Sequence, residues 1–348
     1  MLEAEIVTAD GRIRTVSHWR DPELYFALKG GGGGTFGVVT RLTLKTHPLP
    51  STIGAILFDI TAKDNSSWRE LVARMMGFYA DKLCNPAWGE QIAFKPGRKL
   101  SVVMVCHSLS RDEIARTWAP FLDWVRGRAA SYAFAADPAI LALPTRDFFD
   151  PAHLLQYPGL VLRDDRPGAP ADQIYWASNR GEAGQVLHAY QSAWLPMRLL
   201  APARRRELVD ALVRASSVWD VSLHTNKGLG GGSAEAISAT LQTATSPQAA
   251  DAFALVICAA EEQPAWPGIP GHEPHVAEGR RDAAGVRRAM QPLLAIAPNT
   301  GAYISESDYF QRNWKQAYWG NNYPLLAAAK KRYDPLWLFK GHHCVEPV

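Results

Sequence analysis

Residues 23–40 read ELYFALKGGGGGTFGVVT, and the five consecutive glycines from Gly30 to Gly34 decide how the rest of the chain is understood. Before them lies an amphipathic, largely apolar run ending at Lys29; after them comes a β-branched run beginning at Val38. Glycine at such a junction lets the backbone take positive φ and lets a second body approach without meeting a Cβ. Successive free N–H groups in such a turn face an anion. The alternative is a flexible linker, but linkers are usually flanked by Ser, Thr or charged residues, and both flanks here are apolar and patterned.

The chain's 348 residues allow two domains or one large one, and 47% hydrophobic with 20% charged residues describe an ordinary globular protein with material for a sizeable core. A net charge of +3 is too mild for a nucleic-acid reader, and Arg204-Arg205-Arg206 reads as the solvated first turn of a helix. The four cysteines, Cys84, Cys106, Cys258 and Cys344, show no C-x-x-C spacing and read as small buried hydrophobes. No apolar stretch reaches membrane-spanning length, and the start Met1-Leu-Glu-Ala-Glu carries acids where a signal peptide carries bases. As given, the chain is expected to be soluble and cytoplasmic, with neither nucleic acid nor membrane as a partner.

Residues 2–7 and 13–17 flank Asp10-Gly11, a strong hairpin signal. Val38 to Thr46 alternates as a strand, and His47-Pro-Leu-Pro50 breaks it. From Thr52 strands alternate with helices. Ile53 to Ile60 is a strand, Asp64 to Ser67 caps a helix, and residues 92–94 and 100–106 form a hairpin across Pro96-Gly97. Ser110 and Glu113 have capping-box spacing for a helix that a proline, Pro120, could kink. Residues 136–172 read as an irregular excursion. A helix over Pro202–Ser216, strands at Val218–His224 and Ala252–Cys258, and a helix from Arg280 that Pro292 ends or kinks complete the middle. The order predicts an α+β fold, an antiparallel sheet with helices on one face.

The last part is densest in aromatic and polar residues: Tyr303-Ile-Ser-Glu306-Ser-Asp308, Trp314, Tyr318-Trp319-Gly-Asn-Asn322-Tyr323, Lys330, Tyr333-Asp334-Pro335, Phe339 and His342-His343. Together with residues 23–40 it resembles the berberine-bridge-enzyme-like flavoprotein oxidases of the vanillyl-alcohol-oxidase and p-cresol-methylhydroxylase superfamily. The pattern D-L-F-W-A-L-R-G-G-G-G-x-F-G-V-V-T is met from Glu23 to Thr40, with one extra glycine and Phe26 in place of Trp. The pattern W-G-x-N-Y-x-R-L…K…Y-D-P…F is met from Trp319 to Phe339, with Leu325 in place of Arg.

The resemblance implies part of an FAD-binding domain over residues 1–50, a substrate-binding domain with a large antiparallel sheet over 51–300, and a segment over 301–348 returning to the flavin domain. It implies oxidation of a small alcohol, sugar or amine, with hydride passing to flavin and reoxidation by O2. It places FAD against Gly30, Gly31, Gly32, Gly33, Gly34, Thr35, Phe36, Gly37, Val38, Val39, Asn322 and His342. The catalytic residues are expected among Glu306, Tyr303 and Tyr323, with Glu306 where relatives often carry a tyrosine base. The alternative for Glu306 is an exposed acid in the first turn of a following helix; for Asn322 and Tyr323 it is capping and packing.

His224 and Lys227 close a strand beside a glycine loop, where a substrate-facing residue could sit; the more ordinary reading is a structural histidine and a solvated lysine. His342 and His343 follow an expected terminal strand, on which only one of the two can face the flavin. The pair His272 and His275 lacks zinc spacing, and no metal is expected. The pyrophosphate loop and covalent-attachment residues of the family have no counterpart in this chain, so the resemblance also implies a truncated form, with an upstream-encoded chain completing the FAD domain. The competing expectation is a cofactor-free remnant that binds a small molecule without redox activity.

Overall fold

The computed structural model describes residues 1–347. Strand β1 (Glu3–Val7) turns at Asp10-Gly11 into β2 (Ile13–Ser17), and the Asp10 carboxylate accepts the Arg12 N–H at 3.2 Å inside that turn. A short helix α1 (Pro22–Leu28) follows, with proline at its tolerated start, and β3 (Val38–Thr43) returns beside β1. The three strands form an antiparallel sheet in the order β2-β1-β3.

The chain then runs through β4 (Thr52–Ala62), α2 (Asn65–Phe78), β5 (Trp88–Lys95), β6 (Lys99–His107), α3 (Arg111–Arg126), β7 (Tyr132–Phe134) and β8 (Ala139–Pro144). The Asp64 side chain caps α2 at the Ser67 N–H, and Ser110 with Glu113 closes the expected capping box of α3. Helix α3 continues through Pro120. The expected irregular excursion holds β8, the short helices α4 (Thr145–Phe148) and α5 (Pro151–Leu154), and a small hairpin, β9 (Val161–Arg163) with β10 (Ile174–Trp176).

Next come β11 (Val186–Pro196), α6 (Pro202–Ser216), β12 (Val221–His224), α7 (Ala234–Leu241), β13 (Ala252–Glu262) and α8 (Val276–Ile296). Eight strands make one antiparallel sheet in the order β11-β13-β12-β5-β6-β4-β7, with β8 also paired to β4. Helices α2, α3, α6 and α8 supply Leu71, Trp118, Leu212 and Val286 to one continuous core with Ile56, Phe94 and Val256 from the sheet. The expected α+β architecture is therefore present. Helix α8 begins at Val276, before the expected Arg280, and of the two outcomes expected at Pro292 it does not end there but passes through it. Proline loses one backbone hydrogen bond in a helix, and the burial of Met290 and Leu293 on the same helix offsets that loss.

The sheet's other face carries a small cluster of Trp194, Ala252, Leu255 and Ile257, packed by Tyr190 and Tyr303. The chain ends in α9 (Trp314–Trp319) and α10 (Tyr323–Tyr333), which pack with Leu24, Phe36 and Ile6 in a second core. The expected terminal strand is absent among the described residues; positions 334–347 form turns and irregular backbone.

At the centre of this second core Lys330 and Asp334 form an ion pair of 2.6 Å, both side chains 0% exposed. The Lys330 ammonium also donates to the carbonyls of Thr35 and Phe339. Burial alone raises the carboxyl of Asp334, but the bond from Lys330 and the N–H groups of Leu338 and Phe339 outweigh it and hold the group below its ordinary 3.8. A carboxyl lowered in the folded state stabilises the protein above its unfolded value, and that contribution is lost as pH falls through the folded one. Lys330→Met should therefore destabilise by about 3 to 5 kcal/mol, because it strands Asp334. Chemical denaturation of the parent between pH 6 and 3 should show stability falling below pH 4, and the loss should be smaller in an Asp334→Asn variant.

Candidate functional site

The glycine run leaves α1 and crosses to β3 as a loop whose position is set from the C-terminal side. Trp319 Nε1–H donates to the Gly30 carbonyl at 2.9 Å, and Lys330 holds the Thr35 carbonyl. Gly30 has φ +127°, and a Cβ there would stand 2.5 Å from the Thr245 backbone nitrogen. Gly34, at φ +68°, has nothing within 4 Å of the place a Cβ would occupy, and the same openness holds at Gly33. One side of the loop is thus packed against protein and the other is bare backbone.

The bare side opens on a cavity of about 360 Å³ bounded by Gly33, Gly34, Trp194, Thr245, Tyr303 and Tyr318. Of the residues singled out in the sequence, Gly30, Gly32 to Gly37 and Val39 line it. Gly31 lies against Ala27 and the Phe36 ring instead, and Val38 is exposed on β3. Asn322 acts from behind: its amide donates to the carbonyls of Thr243 at 3.3 Å and Thr245 at 3.0 Å, fixing the loop opposite Gly30.

Beside this cavity the residues Tyr303 to Asp308 lie across β11. The Ser192 hydroxyl accepts from Tyr303 N–H at 3.3 Å and donates to the Glu306 carbonyl, while Gln191 donates to the Asp308 carboxylate at 2.7 Å. Tyr303 and Glu306 pair across a tight turn, with Glu306 N–H on the Tyr303 carbonyl at 3.0 Å. Glu306 is therefore not in the first turn of a helix. Its carboxylate forms an ion pair with Lys227, each side chain about a quarter exposed. Lys227, expected to be solvated, also stands 5.7 Å over the Tyr303 ring.

Two further groups complete the cluster. Burial, together with the Glu306 and Glu261 charges, pushes the Tyr190 phenol up to about 12. Burial and the Lys227 ammonium, against the opposing pull of Glu306, lower His224 from 6.5, so its imidazole is neutral at pH 7. Ser222 and Gln91 face His224 Nε2 at 3.1 and 3.4 Å, while the buried Nδ1 has no partner. Sequence reasoning named His224 and Lys227 as weak candidates, because no spacing links them to Glu306, 79 residues downstream of Lys227.

Tyr323 stands elsewhere. Its ring packs 5.7 Å from both Trp314 and Trp319, its hydroxyl accepts the Glu346 N–H at 3.3 Å, and it lines neither this cavity nor its neighbour. His342 and His343 together line the adjoining cavity of about 680 Å³. Both stand in a turn rather than on a strand, and His343 takes φ +56°. His342 stacks 3.9 Å from Tyr309, and burial with the neighbouring His342 lowers His343. His275 pairs with Glu262 at 2.8 Å; among the described residues no group of three or more His, Cys, Asp or Glu is placed to hold a metal. No described helix is long and apolar enough to cross a membrane.

The antiparallel sheet carries helices on one face and, on the other, the glycine loop with the aromatic C-terminal segment. Residues 302–346 match the family description "Berberine and berberine like". An uncharacterized FAD-linked oxidoreductase of Arthroderma benhamiae is 25% identical over 99% of this chain and 54% of its own length. A VAO-type flavoprotein oxidase of Thermothelomyces thermophilus is 27% identical over 96% of this chain and 52% of its own. The crystal structure of a VAO-type flavoprotein from Myceliophthora thermophila superposes with TM-score 0.70 at 20% identity, covering 99% of this chain and 57% of that one. The match to the berberine-like family thus lies in the C-terminal segment, and the chain spans about half the length of the curated relatives it matches.

Gly30→Ala should cost about 1 to 3 kcal/mol in thermal or denaturant unfolding, from backbone strain and the Thr245 contact. Gly33→Ala, with open space and no positive φ, should leave the unfolding midpoint unchanged.

Proposed function

We propose that this chain carries the substrate side and one cofactor wall of an FAD-dependent oxidoreductase that oxidises a small alcohol, sugar or amine. The observation that carries the reading is a cavity walled by bare glycine backbone and by Tyr303, whose turn carries the Glu306–Lys227 pair. The fit of a flavin nucleotide rests on that wall: nothing occupies the space a Cβ would take at Gly33 or Gly34, and no described backbone carbonyl receives either N–H. Such a surface accepts a phosphate or a flat ring at close approach.

When bound, FAD supplies the hydride acceptor. Glu306, paired with Lys227, accepts the proton from the substrate hydroxyl or amine. Lys227 balances the charge before transfer and fixes the carboxylate's direction, and the Ser192 hydroxyl fixes the backbone on either side of the turn. Neutral His224 leaves Lys227 as the ammonium that Glu306 meets in this cluster, and Tyr190 stays a protonated phenol. Trp194 and Tyr303, with ring centres 6.2 Å apart, provide apolar walls. Tyr323 and Asn322 set the positions of the C-terminal helices and of the loop at Thr245. A separate chain that supplies the remaining cofactor contacts is part of this proposal.

Purified protein, alone and mixed with an upstream-encoded chain, should be tested for flavin absorbance. Yellow protein in either case supports the reading; colourless protein in both favours a cofactor-free binding protein. In a flavin-loaded preparation Glu306→Gln should lower kcat by about 10²- to 10⁴-fold, the range for losing a general base, with unfolding unchanged. Lys227→Met should lower kcat/KM, since the Glu306 carboxylate then lacks the ammonium that fixes its direction.

A further inference from the structure

The cavity of about 680 Å³ adjoining the glycine-walled one continues into a groove of about 510 Å³ between β11 and the N-terminal half of α8. Gly279, Ala283 and Arg287 follow one another at four-residue intervals along α8, so one face of the helix borders the groove. Gly279 lets the helix approach His188 on β11, where a Cβ would stand 3.1 Å from the imidazole.

The acids near this groove are already engaged. Asp282 is bonded to His188 Nδ1 at 2.7 Å, and Glu262 lies 3.5 Å from His188 Nε2 and 2.8 Å from His275. Asp308 accepts from Gln191 and from the Phe310 N–H at 2.9 Å. Arg287 borders both cavities and, among the described residues, has neither an ion pair nor a hydrogen bond through its guanidinium. Aromatic surface surrounds it: Phe310, 77% exposed, borders both cavities, and Tyr190, Tyr309 and Tyr318 border the larger.

We propose that this cleft binds a planar aromatic ligand bearing a carboxylate, with the ring against Phe310 and the tyrosines and the carboxylate on Arg287. A guanidinium takes a carboxylate through two parallel N–H bonds, and aromatic walls take the ring by stacking. The cleft shares Ile304 and Tyr318 with the glycine-walled cavity, so the ligand's far end reaches the Tyr303–Glu306 turn. As a substrate class the inference rests on the function proposed above; as a binding site it does not.

The test is calorimetric titration of the full chain with 3-phenylpropionate and with its neutral analogue 3-phenylpropionamide, neither of which requires flavin. The acid should bind at least tenfold more tightly than the amide. Arg287→Met should remove that preference, Arg287→Lys should keep part of it, and Arg288→Met, one residue along and outside the cleft, should keep it all. Equal binding of acid and amide, binding of neither, or equal losses in the Arg287 and Arg288 variants would overturn the proposal. Thermal unfolding of each variant shows that the fold persists. A yellow, flavin-bearing protein with no preference for the acid would refute only this inference, whereas a colourless protein with the preference would refute only the oxidoreductase reading.

Discussion

An ammonium with no access to water has to be answered by protein groups, and at Lys330 those groups come from three places in the chain. The carboxylate of Asp334 lies one helical turn away, the Thr35 carbonyl follows the glycine run, and the Phe339 carbonyl lies where the chain leaves α10. Burying two ions costs several kcal/mol each unless their partners are well placed. That cost makes the arrangement all or nothing: α10, the glycine loop and the final turns are in register together. Trp319 adds its bond to Gly30, so the loop that borders the cavity is held from residues almost 300 positions later.

From this anchor the site follows as a meeting of two surfaces. Helices cover one face of the eight-stranded sheet, leaving Trp194 and Tyr190 of β11 to face the glycine loop and the C-terminal segment on the other. The segment from Tyr303 to Asp308 is laid on that face by Ser192 and Gln191, and it brings Glu306 to Lys227 in the loop after β12. Lys227 and Glu306 supply opposite charges, His224 supplies none, and Tyr190 keeps its proton because burial disfavours the phenolate. The result is a carboxylate with one cationic neighbour beside aromatic walls.

Much of the fold was legible because its signals are local. The Asp10-Gly11 hairpin, the Asp64 cap, the capping box at Ser110 and Glu113, and the proline start of α6 each act within a few residues, and each stands in the structure. Where local preference left a choice, tertiary packing made it: α8 runs through Pro292 rather than ending there, and its neighbours bury Met290 and Leu293. His342 and His343 share a cavity because a left-handed residue replaces the expected strand. The glycine run and Glu306 stood out as residue types in unusual settings. Lys227 did not, since a lysine after a strand is an ordinary solvated residue until a distant carboxylate arrives.

The sequence by itself determined the α+β class, the glycine cradle near the start, and the family resemblance of the C-terminal segment, because these rest on residue type and short spacing. Only the tertiary structure decided which residues meet. It placed Glu306 on Lys227, put Tyr323 among Trp314 and Trp319 away from that pair, left Arg287 without a partner among the described residues, and closed the loop at Gly30 with Trp319. The reason is physical: ion pairs and cavities depend on distances between segments that are far apart in the chain, and those distances exist only once the two cores have packed.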